Sequence, residues 1–197
     1  MRPFIVILPH AVIFWAVFFW CFFPERAIVQ RAREESKKEG SKDGGSIQVI
    51  MAAGMVTALA GFGLAYWTQM PISYGARMAV FYTGIVVLLL GSFLRRLCFK
   101  TLGEHFTGDV RARADQPVIQ NGPYRFVRHP SYTAGMLMYL GVGLALTSWV
   151  SILLLLAGTI IGYAYRVRVE ERAMLSEIGA PYAEFMRTRK RFIPFVI

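Results

Sequence analysis

Charge, cysteine and histidine are all scarce in this chain of 197 residues. Only 17% of the residues are charged, whereas soluble domains average about 25%. Hydrophobic residues make up 55% of the chain, and the mean hydropathy is +0.45. These values disfavour an ordinary water-soluble globule and exclude a disordered chain. The net charge is nevertheless +10, so the placement of the charges decides between a membrane protein and a nucleic-acid-binding protein.

The few cysteine and histidine residues lie far apart in the sequence. Cys21 and Cys98 suggest no disulfide, and His10, His105 and His129 form no cluster with metal-ligand spacing. The sequence therefore predicts no metal site. It also contains neither a phosphate-binding P-loop nor the glycine fingerprint of a dinucleotide-binding fold.

Long apolar runs, by contrast, are abundant. Five acid-free stretches cover residues 3–23, 47–67, 76–94, 132–147 and 149–164. The first three have the roughly 20 residues that a membrane-spanning helix needs. The last two are shorter and almost loopless, which predicts a tight helical hairpin. We expect an all-α integral membrane protein with about five transmembrane helices; the alternative for the hairpin is a buried position in a soluble core.

The charged residues collect in three segments between and after the apolar stretches. Residues 24–46, 95–131 and 165–197 hold 20 of the 22 basic residues and all 12 acidic residues. Cytosolic loops are enriched in Lys and Arg, so this pattern predicts an external N-terminus and a cytosolic C-terminus. The membrane would be the plasma (inner) membrane in a bacterium and the endoplasmic reticulum in a eukaryote. Because topology explains the basic residues, nucleic-acid binding is not favoured.

The same pattern predicts two regions. Residues 1–100 hold three transmembrane helices and a polar cytosolic linker at 24–46. Bulky Trp15 and Trp20 and the lack of a small-residue cleavage site favour a retained first helix over a signal peptide. Residues 101–197 form the candidate catalytic region, with the hairpin at 132–164 and a cytosolic C-terminal helix.

Two polar blocks flank the hairpin, at residues 116–132 and 165–194. A short hairpin returns the chain to the side that it left, so the two blocks lie together at the cytosolic membrane face. In the first block, Pro130 suits the first turn of the fourth helix, directly after Arg128 and His129. A helix start favours anions; the alternative is that Arg128 and His129 touch lipid phosphate.

The second block carries acidic residues close to the membrane. Arg166 lies four residues before Glu170, on the same helical face, and Glu171 follows. The simpler interpretation is an exposed ion pair of small energetic value. Most of the basic residues at 187–191 are expected to bind anionic headgroups. Together the blocks suit a zwitterionic or cationic cofactor that meets a lipid-borne substrate.

Several short motifs occur in a fixed order. They are NGPYRFVRHPSY (121–132), an apolar hairpin, and EERAMLSEIGAPYAEFMRTRKRFIP (170–194), which includes Gly-x-x-Tyr (179–182) and Arg-x-x-Pro (191–194). This set resembles the isoprenylcysteine carboxyl methyltransferase family and the related phospholipid N-methyltransferases. The resemblance covers residues 101–197, and the first hundred residues resemble the family only in being membrane helices.

The resemblance implies that S-adenosylmethionine (SAM) binds in a cytosolic pocket formed by the two blocks. The implied cofactor-binding residues are Gln116, Pro117, Val118 and Ile119 around the adenine, Tyr124 packed on the cofactor, Arg128, His129, Pro130, Ser131 and Tyr132 at the methionyl end, and Glu170 and Glu171 from the second block. Arg166 and Glu170 are the implied catalytic residues, and Arg166 and Arg191 would face the substrate. Some relatives have a residue other than proline at the position of Pro117. Proline has no backbone N–H, so this position lacks a hydrogen-bond donor.

The chemistry of methyl transfer leaves the acceptor open. A carboxylate is already ionised at pH 7 and needs only an orienting cation, such as Arg166. An amine must first lose a proton, for which Glu170 or Glu171 is available. We expect a SAM-dependent membrane methyltransferase that acts on a lipophilic small molecule or lipidated substrate, foremost the carboxylate of an isoprenylcysteine-like substrate. The alternatives are a phospholipid amine or thiol acceptor, an NADPH-dependent sterol-type reductase, and a non-catalytic protein that binds membrane lipids.

Overall fold

The computed structural model describes residues 2–37, 46–103, 106 and 116–193, and within these ranges it contains helices and no β-strand. The α-helices are α1 (His10–Lys37), α2 (Ser46–Leu64), α3 (Tyr74–Leu102), α4 (Pro130–Ala145), α5 (Trp149–Glu177) and α6 (Ala180–Thr188). A 3-10 turn, Gly122–Arg125, precedes α4. The prediction of an all-α chain is confirmed for the described ranges. His105, Pro194 and residues 38–45 of the predicted linker lie outside them.

Two helices, α3 and α5, are long and apolar enough to cross a membrane by length and composition. The apolar parts of α1 (His10–Pro24) and α2 (Gln48–Leu64) are shorter, and α4 has 16 residues. The number of five spans therefore stays a prediction.

Three helices run beyond the ends of their apolar stretches. α1 continues from residue 23 to Lys37, α3 from residue 94 to Leu102, and α5 from residue 164 to Glu177. Hydropathy identifies only the apolar part of a helix, and a helix can continue beyond it until a residue adopts a non-helical backbone conformation. Gly103 and Gly179, with φ angles of 54° and 70°, end α3 and α5 in this way. Both α3 and α5 thus carry polar turns beyond their apolar parts.

Small residues bring α3 and α4 into close contact. A methyl group added at Gly84 would lie 2.7 Å from the carbonyl oxygen of Gly141, and one added at Gly91 would lie 2.8 Å from the backbone nitrogen of Met138. Such close approach of backbones is typical of helices that pack in membranes. This close packing holds α4, and with it the first polar block, against α3.

The hairpin of α4 and α5 turns within three residues, 146–148. The Ser148 hydroxyl accepts a 3.2 Å hydrogen bond from the Ser151 amide and caps α5. Thr147 has a φ angle of 51° and donates a 2.6 Å hydrogen bond to the Gln69 side chain. The structure has a helical hairpin here, with a second helix longer than the predicted span, and it brings the start of α4 and the polar end of α5 to the same end of the molecule.

Candidate functional site

A cleft opens between the start of α4, the polar end of α5, and α6. Its empty volume, which includes open solvent at the mouth, is about 830 Å³. The sequence-predicted residues that line it are Gln116, Pro117, Val118, Ile119, Tyr124, Arg128, His129, Ser131, Tyr132, Arg166 and Glu170. Both polar blocks therefore meet at one cleft, as the hairpin predicts.

Six further residues line the cleft and were not among the predicted site residues. They are Leu102, Phe106, Met174, Ile178, Tyr182 and Phe185. Tyr182 belongs to the Gly-x-x-Tyr motif, which is the one sequence signal that pointed to it. The other five are apolar side chains from the ends of α3 and α5, from residue 106 and from α6. Met174 and Ile178 continue the four-residue spacing of Arg166 and Glu170, and no pattern in the sequence distinguishes the remaining three from core residues.

The first turn of α4 is held by the C-terminal segment 189–192, which we call the strap. The amides of Arg128 and His129 donate hydrogen bonds of 2.8 and 2.9 Å to the carbonyl oxygens of Lys190 and Arg191. The Thr133 hydroxyl donates a 2.9 Å hydrogen bond to the carbonyl oxygen of Phe192. Pro130 is the first residue of α4, as predicted. The strap therefore lies along the segment that carries Arg128 and His129 into the cleft.

Three polar side chains form a hydrogen-bonded chain at the cleft. Arg166 Nε donates to the Tyr132 hydroxyl oxygen over 3.3 Å, and this hydroxyl donates to Glu170 Oε2 over 2.6 Å. Arg166 is buried and Tyr163, one turn before it, packs its ring 4.9 Å from the ring of Tyr132. The shared face of Arg166 and Glu170 is confirmed, and Tyr132 joins them to α4.

Glu171 lies outside the lining of this cleft and is buried behind it. Its Oε1 is 3.2 Å from Arg128 Nη2 and accepts a 3.2 Å hydrogen bond from His129 Nε2. Its Oε2 lies 2.7 Å from Arg191 Nη2 and 3.1 Å from Arg191 Nε. Burial raises the pKa of the Glu171 carboxyl, but the hydrogen bonds from His129 and Arg191 outweigh burial and lower this pKa to about 2.

The remaining predicted residues have supporting positions. Pro130 and Arg191 do not line the cleft. Arg191 contacts Glu171 behind the cleft, and the Glu171 carboxylate raises the pKa of Arg191. Tyr124 is buried, and burial raises the pKa of its phenol. Arg95 on α3 donates a 2.6 Å hydrogen bond to the carbonyl oxygen of Ser131, which ties the first turn of α4 to α3.

Comparison with known proteins identifies similar sequences. A family model described as phospholipid methyltransferase matches residues 79–179, just over half of the chain. Protein-S-isoprenylcysteine O-methyltransferase of Saccharomyces cerevisiae is 27% identical over 115 residues, which are 57% of this chain and 48% of that protein. Protein-S-isoprenylcysteine O-methyltransferase B of Arabidopsis thaliana is 26% identical over 115 residues, which are 57% of this chain and 58% of that protein. The chain thus spans about half the length of these curated relatives.

A solved structure has the same fold. It is that of a eukaryotic intramembrane Ras methyltransferase, isoprenylcysteine carboxyl methyltransferase, and it matches with a TM-score of 0.60 at 24% sequence identity. The match covers 74% of this chain and 52% of that chain. The two chains therefore share the same helical fold over the matched residues.

Proposed function

The chain belongs to the phospholipid methyltransferase family, and we propose that it is an integral-membrane methyltransferase. It transfers a methyl group from SAM to a lipophilic acceptor, foremost the carboxylate of an isoprenylcysteine-like substrate. The observation that carries this proposal is the hydrogen-bonded chain of Arg166, Tyr132 and Glu170 at a cleft that both polar blocks line. A cation and a carboxylate at one cleft suit a zwitterionic cofactor beside an anionic acceptor.

The residues of the cleft fit SAM by their chemistry. His129 and Tyr132 lie at the start of α4, where the positive end of the helix dipole favours a carboxylate such as that of the methionyl group. Glu170 supplies a negative charge for the amine or the sulfonium of the same cofactor. Apolar side chains, among them Ile119 and Ile178, line the cleft and suit the flat adenine ring. Tyr124 and the segment 116–119 complete the proposed cofactor site.

SAM supplies an electrophilic methyl group on a sulfonium. In-line displacement at this methyl depends chiefly on position and orientation. Arg166 is the residue proposed to orient the acceptor, because its planar guanidinium holds a carboxylate with two parallel hydrogen bonds. Tyr132 contacts the Arg166 side chain through Nε, so the phenol that holds Glu170 also restrains this guanidinium.

A carboxylate acceptor needs no general base, since its pKa lies well below 7. An aminophospholipid acceptor would need to lose a proton, and Glu170 is the carboxylate at the cleft that is available for it. Arg166, which donates a hydrogen bond to Tyr132, favours a carboxylate acceptor. The names of the curated relatives favour the same acceptor. The amine and thiol acceptors are therefore the alternatives that the experiment must separate.

The proposed enzyme is a multi-pass membrane protein with its C-terminus and cleft on the cytosolic side. The concentration of Lys and Arg in alternate segments supports this orientation. The apolar α3 and α5 cross the bilayer, and their polar ends carry the cleft. A lipid-borne acceptor then reaches the reacting methyl group without leaving the membrane surface.

The direct test is methyl transfer from labelled SAM by the purified protein in detergent. The acceptors are a farnesylcysteine, a small thiol and an aminophospholipid, and a parallel sample contains NADPH as competitor. We expect labelled farnesylcysteine methyl ester, recognised by its release of label in alkali, and no effect of NADPH. Label on the aminophospholipid alone would overturn the carboxylate acceptor. Absence of transfer to every acceptor would overturn the proposed enzyme and favour a lipid-binding protein.

A further inference from the structure

We propose that Glu171 is a positioning residue that latches the strap onto the wall of the cleft and thereby couples strap docking to cofactor binding. The coupling rests on the function proposed above, whereas the latch itself does not. Glu171 does this without lining the cleft, through Arg128 and His129, which do line it. Its role therefore differs from that of its neighbour Glu170.

The contacts of Glu171 unite three segments of the chain. The carboxylate lies on α5, Arg128 and His129 directly precede α4, and Arg191 belongs to the strap. Both oxygens of the carboxylate are used: Oε1 accepts from His129 and also from Arg191 Nε, and Oε2 accepts from Arg191. A single buried charge thus holds the strap and the α4 start in fixed relation.

The backbone contacts of the strap depend on the same alignment. The amides of Arg128 and His129 donate to strap carbonyls, and the side chains of these two residues contact Glu171. Displacement of the strap would withdraw the acceptors of both amides and the Arg191 charge from Glu171. Buried donors and charges that lose their partners are costly, so these contacts form or break together.

A ligand in the cleft would contact the same two residues, Arg128 and His129. Because Arg128 and His129 line the cleft, a cofactor that binds them in their latched position stabilises that position. By thermodynamic linkage, latching then increases cofactor affinity by the same factor. Loss of the Glu171 charge is therefore expected to weaken SAM binding while the chain of Arg166, Tyr132 and Glu170 keeps its own contacts.

Amide hydrogen exchange tests the latch directly, because two particular amides report it. We expect the amides of Arg128 and His129 to exchange at least about tenfold faster in Glu171→Gln than in the unaltered protein, as loss of a charged hydrogen-bond network implies. Arg191→Gln removes the strap side of the contact, leaves Glu171 with two partners, and decides the question if Glu171→Gln fails to fold. Glu184→Gln is the matched control, because Glu184 forms an exposed ion pair with Arg187 at 3.2 Å. Unchanged exchange in Arg191→Gln, or equal acceleration in Glu184→Gln, would overturn the latch.

Kinetics separate positioning from a general loss of structure. We expect Glu171→Gln to raise the KM for SAM about tenfold and to lower kcat by less than about threefold, since it removes binding without touching the reacting groups. Glu171→Asp keeps the charge and is expected to restore part of the SAM affinity. A fall in kcat with an unchanged KM would overturn the positioning role. If the unaltered protein binds no SAM while the exchange differences persist, the proposed function fails and the latch stands.

Discussion

The hydroxyl of Tyr132 donates a 2.6 Å hydrogen bond to Oε2 of Glu170, across the cleft from α4 to α5. The same hydroxyl oxygen accepts a 3.3 Å hydrogen bond from Nε of Arg166. One phenol therefore holds both the cation and the carboxylate to which the methyl-transfer proposal assigns roles. Removal of this hydroxyl should affect the reaction more than it affects folding.

The first prediction concerns Tyr132→Phe, which removes the hydroxyl and keeps the ring. A hydrogen bond to a charged group contributes about 1.5 to 3 kcal/mol, so we expect methyl transfer to fall by roughly ten- to a hundredfold. The measurement is the initial rate with labelled SAM and farnesylcysteine. Tyr165→Phe is the control, because Tyr165 is 40% exposed and does not line the cleft. Equal rates for the two variants would contradict the role of Tyr132.

The second prediction concerns Arg166 and the identity of the acceptor. Arg166→Lys keeps a positive charge but loses the planar fork, and Arg166→Gln loses both. For a carboxylate acceptor, we expect the acceptor KM to rise roughly tenfold in the lysine variant and further in the glutamine variant. The ratio of the two KM values is the informative quantity. An acceptor KM that falls when the cation is removed would point to an amine acceptor instead.

The third prediction concerns the packing behind Tyr132. A methyl group at Gly135 would come within 3.0 Å of ring carbons of Tyr163, whose ring packs 4.9 Å from that of Tyr132. We expect Gly135→Ala to lower activity by displacing these rings and to cost about 1 to 3 kcal/mol of stability. The control is Gly63→Ala, because no atom lies within 4 Å of an added methyl there. Thermal unfolding and initial rates that match in both variants would contradict this packing.

The fourth prediction concerns acid stability. Glu171 has a folded-state pKa of about 2, below the ordinary value of about 4.3 for a glutamate. A lowered pKa stabilises the fold above the unfolded-state value and loses this effect as the pH falls through the folded-state value. The unfolding temperature of the unaltered protein should therefore approach that of Glu171→Gln as the pH falls from about 4.5 to about 2. A difference that stays constant over this range would show that Glu171 gains nothing from Arg128, His129 and Arg191.

Much of the site follows from sequence because local rules determine it. The short connection between the last two apolar stretches brings the two polar blocks together, and a spacing of four residues places Arg166 and Glu170 on one face. Pro130 marks the start of α4 for the reason that proline favours the first helical turn. These inferences need no knowledge of tertiary contacts.

The separate positions of Glu170 and Glu171 illustrate what motif matching misses. Successive residues on a helix point about 100° apart, so two adjacent glutamates cannot share a face. Glu170 follows Arg166 by four residues and lines the cleft, whereas Glu171 follows buried Val167 and lies behind it. Helical periodicity carries this distinction, although treatment of the pair as one motif conceals it.

Part of the apolar lining of the cleft could not be predicted from the sequence. Leu102 lies beyond the apolar stretch of α3, and Phe185 lies beside Met186 in the polar segment at 165–194. Whether such a side chain faces a cleft or a core depends on how far α3 and α5 extend and where α6 packs. Those properties depend on tertiary contacts that periodicity does not encode.

Equilibrium binding of labelled SAM to the purified protein in detergent tests whether the cleft is the cofactor site. The samples are the unaltered protein, Glu170→Ala, His129→Ala and the control Tyr165→Phe. We expect saturable binding to the unaltered protein and the control, and a loss of affinity of at least about tenfold in both other variants, since each removes a polar group from the cleft. Unimpaired binding in Glu170→Ala and His129→Ala would show that SAM does not bind in this cleft.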